Sequence, residues 1–274
     1  MLYTKISIPA DPQKQELLIA ILGDLPFDVF EEKEDSLDAY MPTIHFEQDV
    51  ELEINNLTQE YDFSYTIEHL PDENWNTLWE SHFEPVIVDD FCSVRATFHA
   101  PIPSTKYEIV IDPKMSFGTG HHATTYMVMK AMESIDFKNK KVLDFGSGTA
   151  ILAILAKLLG AKPILAIDND EWCYHNGVEN VALNQSAAEI EVLQATITDI
   201  PVQAYDIIIA NINTHILLQY VENIATQVVD KGVVILSGIM LHDVAIITTT
   251  YENNGLQLLN SYERGEWACL VFQK

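Results

Sequence analysis

A glycine-rich turn after an apolar segment is the first pattern in this sequence that could do chemistry. Val142–Phe145 is followed by Gly146, Ser147 and Gly148, and then by an apolar helical pattern that begins at Ile151. Glycines at such a turn allow the backbone to bend tightly and a ligand to approach where a Cβ atom would collide. Because a GxG pair is also typical of an ordinary tight turn, it indicates a ligand loop only together with a second element.

That second element is an acidic residue at the end of the next predicted strand. Ile164–Ile167 is apolar and leads into Asp168, which lies 22 residues after Gly146. A carboxylate at the tip of the second strand can accept two hydrogen bonds from a ribose diol. Asp170 is better explained as the cap of the following helix. The glycine turn and Asp168 therefore predict a site for a ribose-containing cofactor, with Gly146 and Gly148 in the binding loop.

Both NAD and S-adenosylmethionine contain a ribose of this kind, and two positions distinguish between them. The dinucleotide fingerprint has a third glycine so that the pyrophosphate can sit on the helix N-terminus, but residue 151 is isoleucine. Asp144 would repel a diphosphate and would suit an amino group such as that of methionine. The sequence therefore favours S-adenosylmethionine.

The elements that position these residues alternate between apolar strands and helices from residue 121 onward, which predicts a parallel sheet covered on both faces. The end of the chain differs, because two strands joined tightly at Arg264-Gly265 predict an antiparallel hairpin. A parallel sheet that closes with such a hairpin is typical of methyltransferases rather than dehydrogenases. The predicted fold is α/β, a Rossmann-like, seven-stranded sheet of the class I S-adenosylmethionine-dependent methyltransferase type. The strands are predicted at Lys141–Phe145, Pro163–Ile167, Ile190–Leu193, Tyr205–Ala210, Val233–Leu236, Leu256–Tyr262 and Glu266–Phe272, and the helices at Ile151–Leu159, Glu171–Asn184 and Ile216–Val229.

Residues 1–70 predict a separate small α+β domain in the order βαββαβ, which is the ferredoxin-like arrangement. Asp11 and Pro12 open its first helix. Residues 71–85 predict a linker helix with Trp75 and Trp79 on an apolar face. Residues 86–274 predict the catalytic domain. It begins with a strand pair at Phe91–Phe98 and Tyr107–Ile111. The strands of the small domain are predicted at Leu2–Ile8, Phe27–Glu31, Ser36–Met41 and Phe63–Leu70, and its second helix at Phe46–Leu57.

The strongly acidic composition of the chain indicates which kinds of partner it can bind. The 15 Lys and Arg residues stand against 41 Asp and Glu, a net charge of −26. Residues 1–70 alone contain 16 acidic and three basic residues, so this domain looks suited to docking a basic partner. Nucleic-acid binding needs cationic groups that displace condensed counterions, so direct nucleic-acid binding is not expected.

Other features exclude several classes of protein. No apolar segment reaches the roughly 20 residues needed to cross a bilayer, and the N-terminus does not resemble a signal peptide. Three widely spaced cysteines suggest neither a disulfide framework nor a zinc site. These features together fit a reducing cytoplasm, and a monomer is expected. His121 and His122 lack a matching group of ligands, and no metal is predicted.

A third pattern precedes the glycine turn and identifies a family. Residues 112–125 read DPKMSFGTGHHATT, and Asn211-Ile212-Asn213 ends the fourth predicted strand. With the two patterns above, these motifs resemble the PrmA family, the methyltransferases of ribosomal protein eleven of the large subunit, over about the whole chain. That family carries a DPG-x-x-FGTG-x-H-x-TT loop, a DFG-x-G-x-G motif, an acidic tip on strand two and an AN-I end on strand four.

The resemblance implies a substrate and roles for individual residues. The substrate would be ribosomal protein eleven, methylated on lysine ε-amines, on its N-terminal α-amine, or on both, and the N-terminal domain would recognise it. The residues that would contact S-adenosylmethionine are Thr125 through its hydroxyl, Gly146 along the methionine portion, Asp168 at the ribose and Asn211 beside the methyl group.

The chain departs from the family pattern at several positions. Lys114 stands where the family has glycine, Ala123 replaces a common proline, and Ala150 replaces the third glycine of the first motif. After Asn211-Ile212, the chain reads Asn213-Thr214-His215 where the family reads Leu-Ala. These changes leave the implied cofactor contacts in place, and Asn213 and His215 are the ones that bear on how the substrate amine is held.

Methyl transfer from a sulfonium needs a neutral nucleophile, so a substrate ammonium must first lose a proton. The side-chain oxygen of Asn211 or the Ile212 carbonyl is predicted to accept N–H groups of the amine and orient its lone pair, without a dedicated base. Phe117, His122 and Asn213 are candidates for the substrate pocket, with His122 ordering the loop by hydrogen bonds and Phe117 explained equally well by packing.

Three other functions remain open at this stage. One is methylation of another basic protein or of a small amine, against which the acidic N-terminal domain argues. RNA methylation is disfavoured by the charge. A module that binds the cofactor without turnover is disfavoured by the presence of Asp168 and Asn211.

Overall fold

The computed structural model of the protein describes residues 3–23, 25–46, 48–70, 84–112 and 120–274. Contacts within the chain divide it into two units, Met1–His82 and Phe83–Lys274. The linker helix predicted over 71–85 lies outside the described residues except at positions 84 and 85. The predicted domain boundaries at residues 70 and 86 therefore stay predictions.

The N-terminal unit has the predicted βαββαβ order. Its four strands form an antiparallel sheet in the order β2-β3-β1-β4, which is the ferredoxin-like arrangement. Asp11 caps the first helix by accepting a hydrogen bond from the Lys14 amide at 2.8 Å, and Pro12 occupies the first helical position. The elements are β1 (Tyr3–Pro9), α1 (Pro12–Leu22), β2 (Val29–Glu32), β3 (Ser36–Pro42), α2 (Gln48–Tyr61) and β4 (Thr66–Leu70).

The C-terminal unit begins with a small three-stranded sheet and continues with a seven-stranded one. In the small sheet, the second strand pairs antiparallel with the first and parallel with the third. The strands are β5 (Val86–Val88), β6 (Cys92–Ala96), β7 (Tyr107–Ile111), β8 (Val142–Phe145), β9 (Ile164–Asp168), β10 (Ile190–Gln194), β11 (Tyr205–Asn211), β12 (Val228–Met240), β13 (Gln257–Arg264) and β14 (Trp267–Gln273). The helices are α3 (Ala123–Met132), α4 (Ile151–Leu158), α5 (Glu171–Leu183), α6 (Thr214–Gln219), α7 (Val221–Gln227) and α8 (Val244–Asn253).

The large sheet has the strand order β10-β9-β8-β11-β12-β14-β13. Strands β8 to β12 run parallel, and β14 pairs antiparallel with both β12 and β13. The direction of chain progression across the sheet reverses between β8 and β11, and ligands of such sheets bind beyond the carboxyl ends of the strands at this point. The structure confirms the predicted fold class.

Helices cover both faces of the large sheet. Side chains of α3, α4 and α5 belong to one buried hydrophobic cluster, and those of α6, α7 and α8 belong to another. This two-faced burial explains why the parallel strands are almost continuously apolar. None of the helices in the described ranges is long and apolar enough to cross a membrane.

One helix prediction in this unit needs correction, and one helix was not predicted. The single helix predicted at Ile216–Val229 is wrong, since α6 ends at Gln219, α7 begins at Val221 and the strand β12 begins at Val228. The β-branched pair Val228-Val229 favours the extended conformation, and Val228 pairs with Tyr205 of β11. The sequence analysis also did not assign α8, which precedes the closing hairpin.

Candidate functional site

A cavity of about 630 Å³ lies at the carboxyl ends of the parallel strands. Its volume falls in the range of small-molecule sites, and its position is the switch point of the sheet. Apart from Asp144, every predicted site residue that the structure describes lines it, whereas Phe117 lies outside the described residues. These lining residues are His122, Thr125, Gly146, Gly148, Asp168, Asn211, Ile212 and Asn213.

The glycine-rich turn follows β8 closely and is fixed by backbone hydrogen bonds. The amides of Gly146 and Ser147 donate to the Ile167 carbonyl at 2.8 and 3.0 Å. Gly146 has a φ of +73°, and a Cβ atom built there would lie 2.2 Å from Cγ2 of Ile212. The sequence analysis required glycine here for ligand approach, but the nearest obstacle in the structure is the neighbouring Ile212 side chain.

Asp168 ends β9 and fixes the same turn. Its Oδ2 accepts a hydrogen bond from the Gly148 amide at 2.9 Å, and its Oδ1 accepts one from the Asp170 amide at 3.0 Å. Each carboxylate oxygen retains acceptor capacity for a further donor such as a ribose hydroxyl. Asp170 caps α5 by accepting from the Cys173 amide at 2.9 Å, as the sequence predicts.

Asn211 and Thr125 meet at the end of β11. The Asn211 Nδ2 donates to the Thr125 hydroxyl at 3.2 Å, which fixes the orientation of the amide. The Asn211 Oδ1 is buried and has no hydrogen-bond partner among the described residues. An unsatisfied buried acceptor that lines a cavity indicates a donor supplied by a ligand.

Ile212 lies between two glycines, with its side chain against Gly146 and its backbone against Gly238. Its amide donates to the Ser237 carbonyl at 3.1 Å. A bulge in β12 at Gly238, where φ is +79°, brings this residue so close that a Cβ atom would lie 2.3 Å from the Ile212 carbonyl oxygen. The position of this carbonyl therefore depends on glycine at 238, whereas glycine at 146 makes room for the Ile212 side chain.

His122 organises the start of α3. Its Nδ1 lies 2.8 Å from the Thr124 hydroxyl and accepts from the Thr124 amide at 3.4 Å. The ring also contacts Trp267 edge to face at 4.9 Å between centroids. His121 points elsewhere, with its Nε2 2.7 Å from the Glu84 carbonyl. Within the described ranges, no group of three or more His, Cys, Asp or Glu side chains could hold a metal.

Asp144 does not act as the sequence analysis expected. Its carboxyl is buried beneath the glycine turn, accepts from the Ala153 amide at 3.0 Å and does not line the cavity. Burial raises the pKa of Asp144 to about 7, a rise that this hydrogen bond opposes and the nearby Asp168 reinforces. A direct contact of Asp144 with a methionine amino group is therefore wrong for this structure.

Sequence reasoning missed two aromatic residues of the cavity, Tyr220 and Trp267. Tyr220 follows α6 and contacts Phe145 edge to face at 5.7 Å. Trp267 is the first residue of β14, and the insertion of β14 beside β12 brings its start to the carboxyl edge of the sheet. Trp267 could have been predicted as a cavity residue, because it directly follows the tight turn of the closing hairpin.

The described lining is chemically suited to S-adenosylmethionine. It contains the Asp168 carboxylate for a ribose and the unpartnered Asn211 oxygen, but no Lys or Arg. A diphosphate needs cationic or oriented N–H groups around it, whereas a sulfonium with an amino group does not. The lining therefore disfavours a dinucleotide.

Comparisons with known proteins agree with this geometry. The family model described as ribosomal protein L11 methyltransferase (PrmA) matches residues 18–274. The ribosomal protein L11 methyltransferase of Phocaeicola vulgatus is 36% identical over 268 residues, covering 96% of this chain and 95% of that protein. The one from Porphyromonas gingivalis is 39% identical over 265 residues, covering 94% and 90%. The crystal structure of a ribosomal protein L11 methylase from Lactobacillus delbrueckii subsp. bulgaricus superposes with a TM-score of 0.64 at 28% identity, covering 69% of this chain and 98% of that one.

Proposed function

This chain belongs to the family of ribosomal protein L11 methyltransferases, and from that membership we propose that it methylates lysine ε-amines, the N-terminal α-amine, or both, of ribosomal protein L11. The protein is an S-adenosylmethionine-dependent methyltransferase. The observation that carries the proposal is the buried Asn211 Oδ1, an acceptor without a partner at the cavity wall.

Within this proposal, the cofactor is held by residues from four segments of the catalytic unit. Asp168 accepts the ribose hydroxyls, the turn at Gly146 and Gly148 borders the methionine portion, and Thr125 and Asn211 border the reacting end. When bound, S-adenosylmethionine supplies an electrophilic methyl group, which the amine lone pair attacks as the C–S bond breaks and its electron pair stays on sulfur.

The protein's own task is to position a neutral amine. The described lining surrounds the amine with few charged groups, which disfavours the ammonium form and promotes loss of its proton to solvent. The Asn211 Oδ1, or the carbonyl of Ile212 held against Gly238, then accepts the remaining N–H groups. These contacts aim the lone pair, and such positioning can lower a barrier substantially without a dedicated base.

The charge distribution supports a basic protein as substrate. Half of the net charge of −26 lies in residues 1–70, so a cationic partner would be attracted to that unit. Direct nucleic-acid binding is not part of the proposal. We place the monomeric enzyme in the cytoplasm, in keeping with its three free cysteines.

Mass spectrometry of ribosomal protein L11 after incubation with the enzyme and methyl-labelled S-adenosylmethionine tests the proposal. Mass gains in steps of one CH₂, located on lysine or the N-terminal amine, are the expected result. Calorimetry of cofactor binding is run on the same preparation. No gain from a preparation that binds the cofactor would reject ribosomal protein L11 as the substrate.

A further inference from the structure

The ring of Trp267 stands at the end of the cavity where β11, β12 and β14 meet. Trp267 pairs with Met240 on β12, and the Leu241 amide donates to the Glu266 carbonyl at 3.0 Å directly beside it. The indole lines the cavity and is only partly buried where it packs on the hydrophobic core. The sheet thus fixes its backbone, while part of its ring is available to a ligand.

A chain of contacts joins Trp267 to Asn211. The indole meets the His122 ring at 4.9 Å between centroids with an interplanar angle of 70°. His122 caps α3, and Thr125 in the first turn of that helix accepts the hydrogen bond from Asn211. The indole therefore belongs to the same end of the cavity as the unpartnered Asn211 oxygen.

This end of the cavity has no carboxylate among the described lining residues. The acidic side chain of the described lining is Asp168, which ends β9, and β8 lies between β9 and β11. In the proposed function this carboxylate accepts the ribose hydroxyls of the cofactor. A positive charge on a substrate nitrogen near Asn211 would thus find an aromatic ring rather than an anion, and aromatic faces attract cations.

We propose that Trp267 binds the methyl-accepting nitrogen through its π face and thereby sets how many methyl groups are added, an inference that rests on the proposed function. Each transfer forms one N–C bond as one C–S bond breaks with its electron pair left on sulfur, and the nitrogen releases a proton to solvent before the next transfer. Each added methyl group removes an N–H that the Asn211 oxygen could accept, whereas a methylated ammonium keeps its attraction to the ring. The indole therefore retains partly methylated amines for further transfer.

Three variants test this role. Trp267→Leu removes the π face, Trp267→Phe keeps a smaller one, and Trp172→Leu makes the matched change at a tryptophan that is 78% exposed and outside the cavity lining. In a time course with ribosomal protein L11, Trp267→Leu is expected to stop at fewer methyl groups per amine, while Trp267→Phe approaches the wild type and Trp172→Leu equals it. Cofactor affinity, measured by calorimetry, should be the same in all four proteins.

A binding measurement distinguishes a π contact from ordinary packing. The probes are an L11-derived peptide carrying Nε-trimethyl-lysine and the same peptide with an uncharged tert-butyl group in place of the trimethylammonium. The wild type should prefer the charged peptide by about two- to thirty-fold, and Trp267→Leu should lose this preference. Equal affinities in the wild type, or an unchanged preference in Trp267→Leu, would overturn the proposal. If the wild type adds no methyl group to ribosomal protein L11, the proposed function fails and this inference fails with it. If the wild type methylates ribosomal protein L11 but Trp267→Leu keeps the preference for the charged peptide, only the role of Trp267 is overturned.

Discussion

The Asn211 amide donates from Nδ2 to the Thr125 hydroxyl at 3.2 Å, across 86 positions of sequence. This bond connects the end of β11 to the first turn of α3 and assigns the two amide atoms opposite tasks. The nitrogen is occupied by the protein, and the oxygen is left for a ligand. One side chain thereby links the first turn of α3 to the wall of the cavity.

Replacing Asn211 with Ala should lower kcat by about 100-fold or more, because the amine loses the acceptor that orients it. The unfolding midpoint should fall only slightly, since the variant loses a single hydrogen bond to a described residue, that from Nδ2 to Thr125, and such a bond contributes about 1 kcal/mol. Asn260→Ala, at an exposed asparagine of β13, is the matched control. Steady-state kinetics and thermal unfolding measure the two effects, and near-normal turnover would contradict the role of Asn211.

Asp168→Asn should weaken cofactor binding by about tenfold or more, because hydrogen bonds to a charged group contribute about 1.5–3 kcal/mol. The introduced NH₂ would also face the amide of Gly148 or Asp170. Asp170→Asn is the control, since asparagine caps a helix as well as aspartate. Calorimetric titration with S-adenosylmethionine gives the affinities, and equal losses in both variants would reject a specific contact at Asp168.

Gly238→Ala should impair catalysis as well as stability, because the new Cβ would lie 2.3 Å from the Ile212 carbonyl oxygen and displace it. Gly255→Ala controls for backbone strain alone. Its φ is +84°, and nothing lies within 4 Å of the Cβ position. That control should lose only about 1–2 kcal/mol of unfolding free energy and keep its kcat. Similar kcat values for the two variants would show that the Ile212 carbonyl does not need this placement.

Ala150→Gly should stabilise the protein by about 1 kcal/mol, because Ala150 has a φ of +59° and a left-handed backbone costs a residue with a side chain roughly that much. Ala153→Gly makes the same change inside α4, where glycine should destabilise by about 1 kcal/mol or more. Urea unfolding of both variants gives the two free energies. Destabilisation by Ala150→Gly would mean that packing of the Ala150 methyl group outweighs the strain.

Asp144 should make the free energy of unfolding depend on pH, and Asp144→Asn should remove this dependence. The folded protein retains the Asp144 proton up to a pKa of about 7, whereas the ordinary value is 3.8. Between these values the folded state binds more protons, so this contribution to stability is lost as the pH rises from about 4 to about 7. Between pH 5 and pH 8, the unfolding free energy of the wild type should fall by up to about 3 kcal/mol more than that of Asp144→Asn. Asp136→Asn, at an exposed carboxylate, should behave as the wild type.

The sequence was sufficient to predict the two folds and the strand ends that border the cavity. Gly146, Asp168 and Asn211 each follow an apolar strand, and parallel strands end at a common edge, so their proximity could be predicted without a structure. The close approach of Gly146 and Gly238 to Ile212 could not be predicted, because these residues meet only after the sheet has formed. Nor does sequence periodicity report the end of α7 at Gln227, where the chain turns into β12 and Val228 pairs with Tyr205 of β11.

Strand β14 follows β13 in the chain but lies between β12 and β13 in the sheet. During synthesis, β13 therefore leaves the ribosome before the strand that attaches it to the rest of the sheet. A nascent chain that contains everything up to β13 has the glycine turn, Asp168 and Asn211, yet its sheet is still open beside β12. The strand that carries Trp267 is added after all of these. The order of translation therefore delays completion of this end of the cavity until the remainder of the catalytic unit has been made.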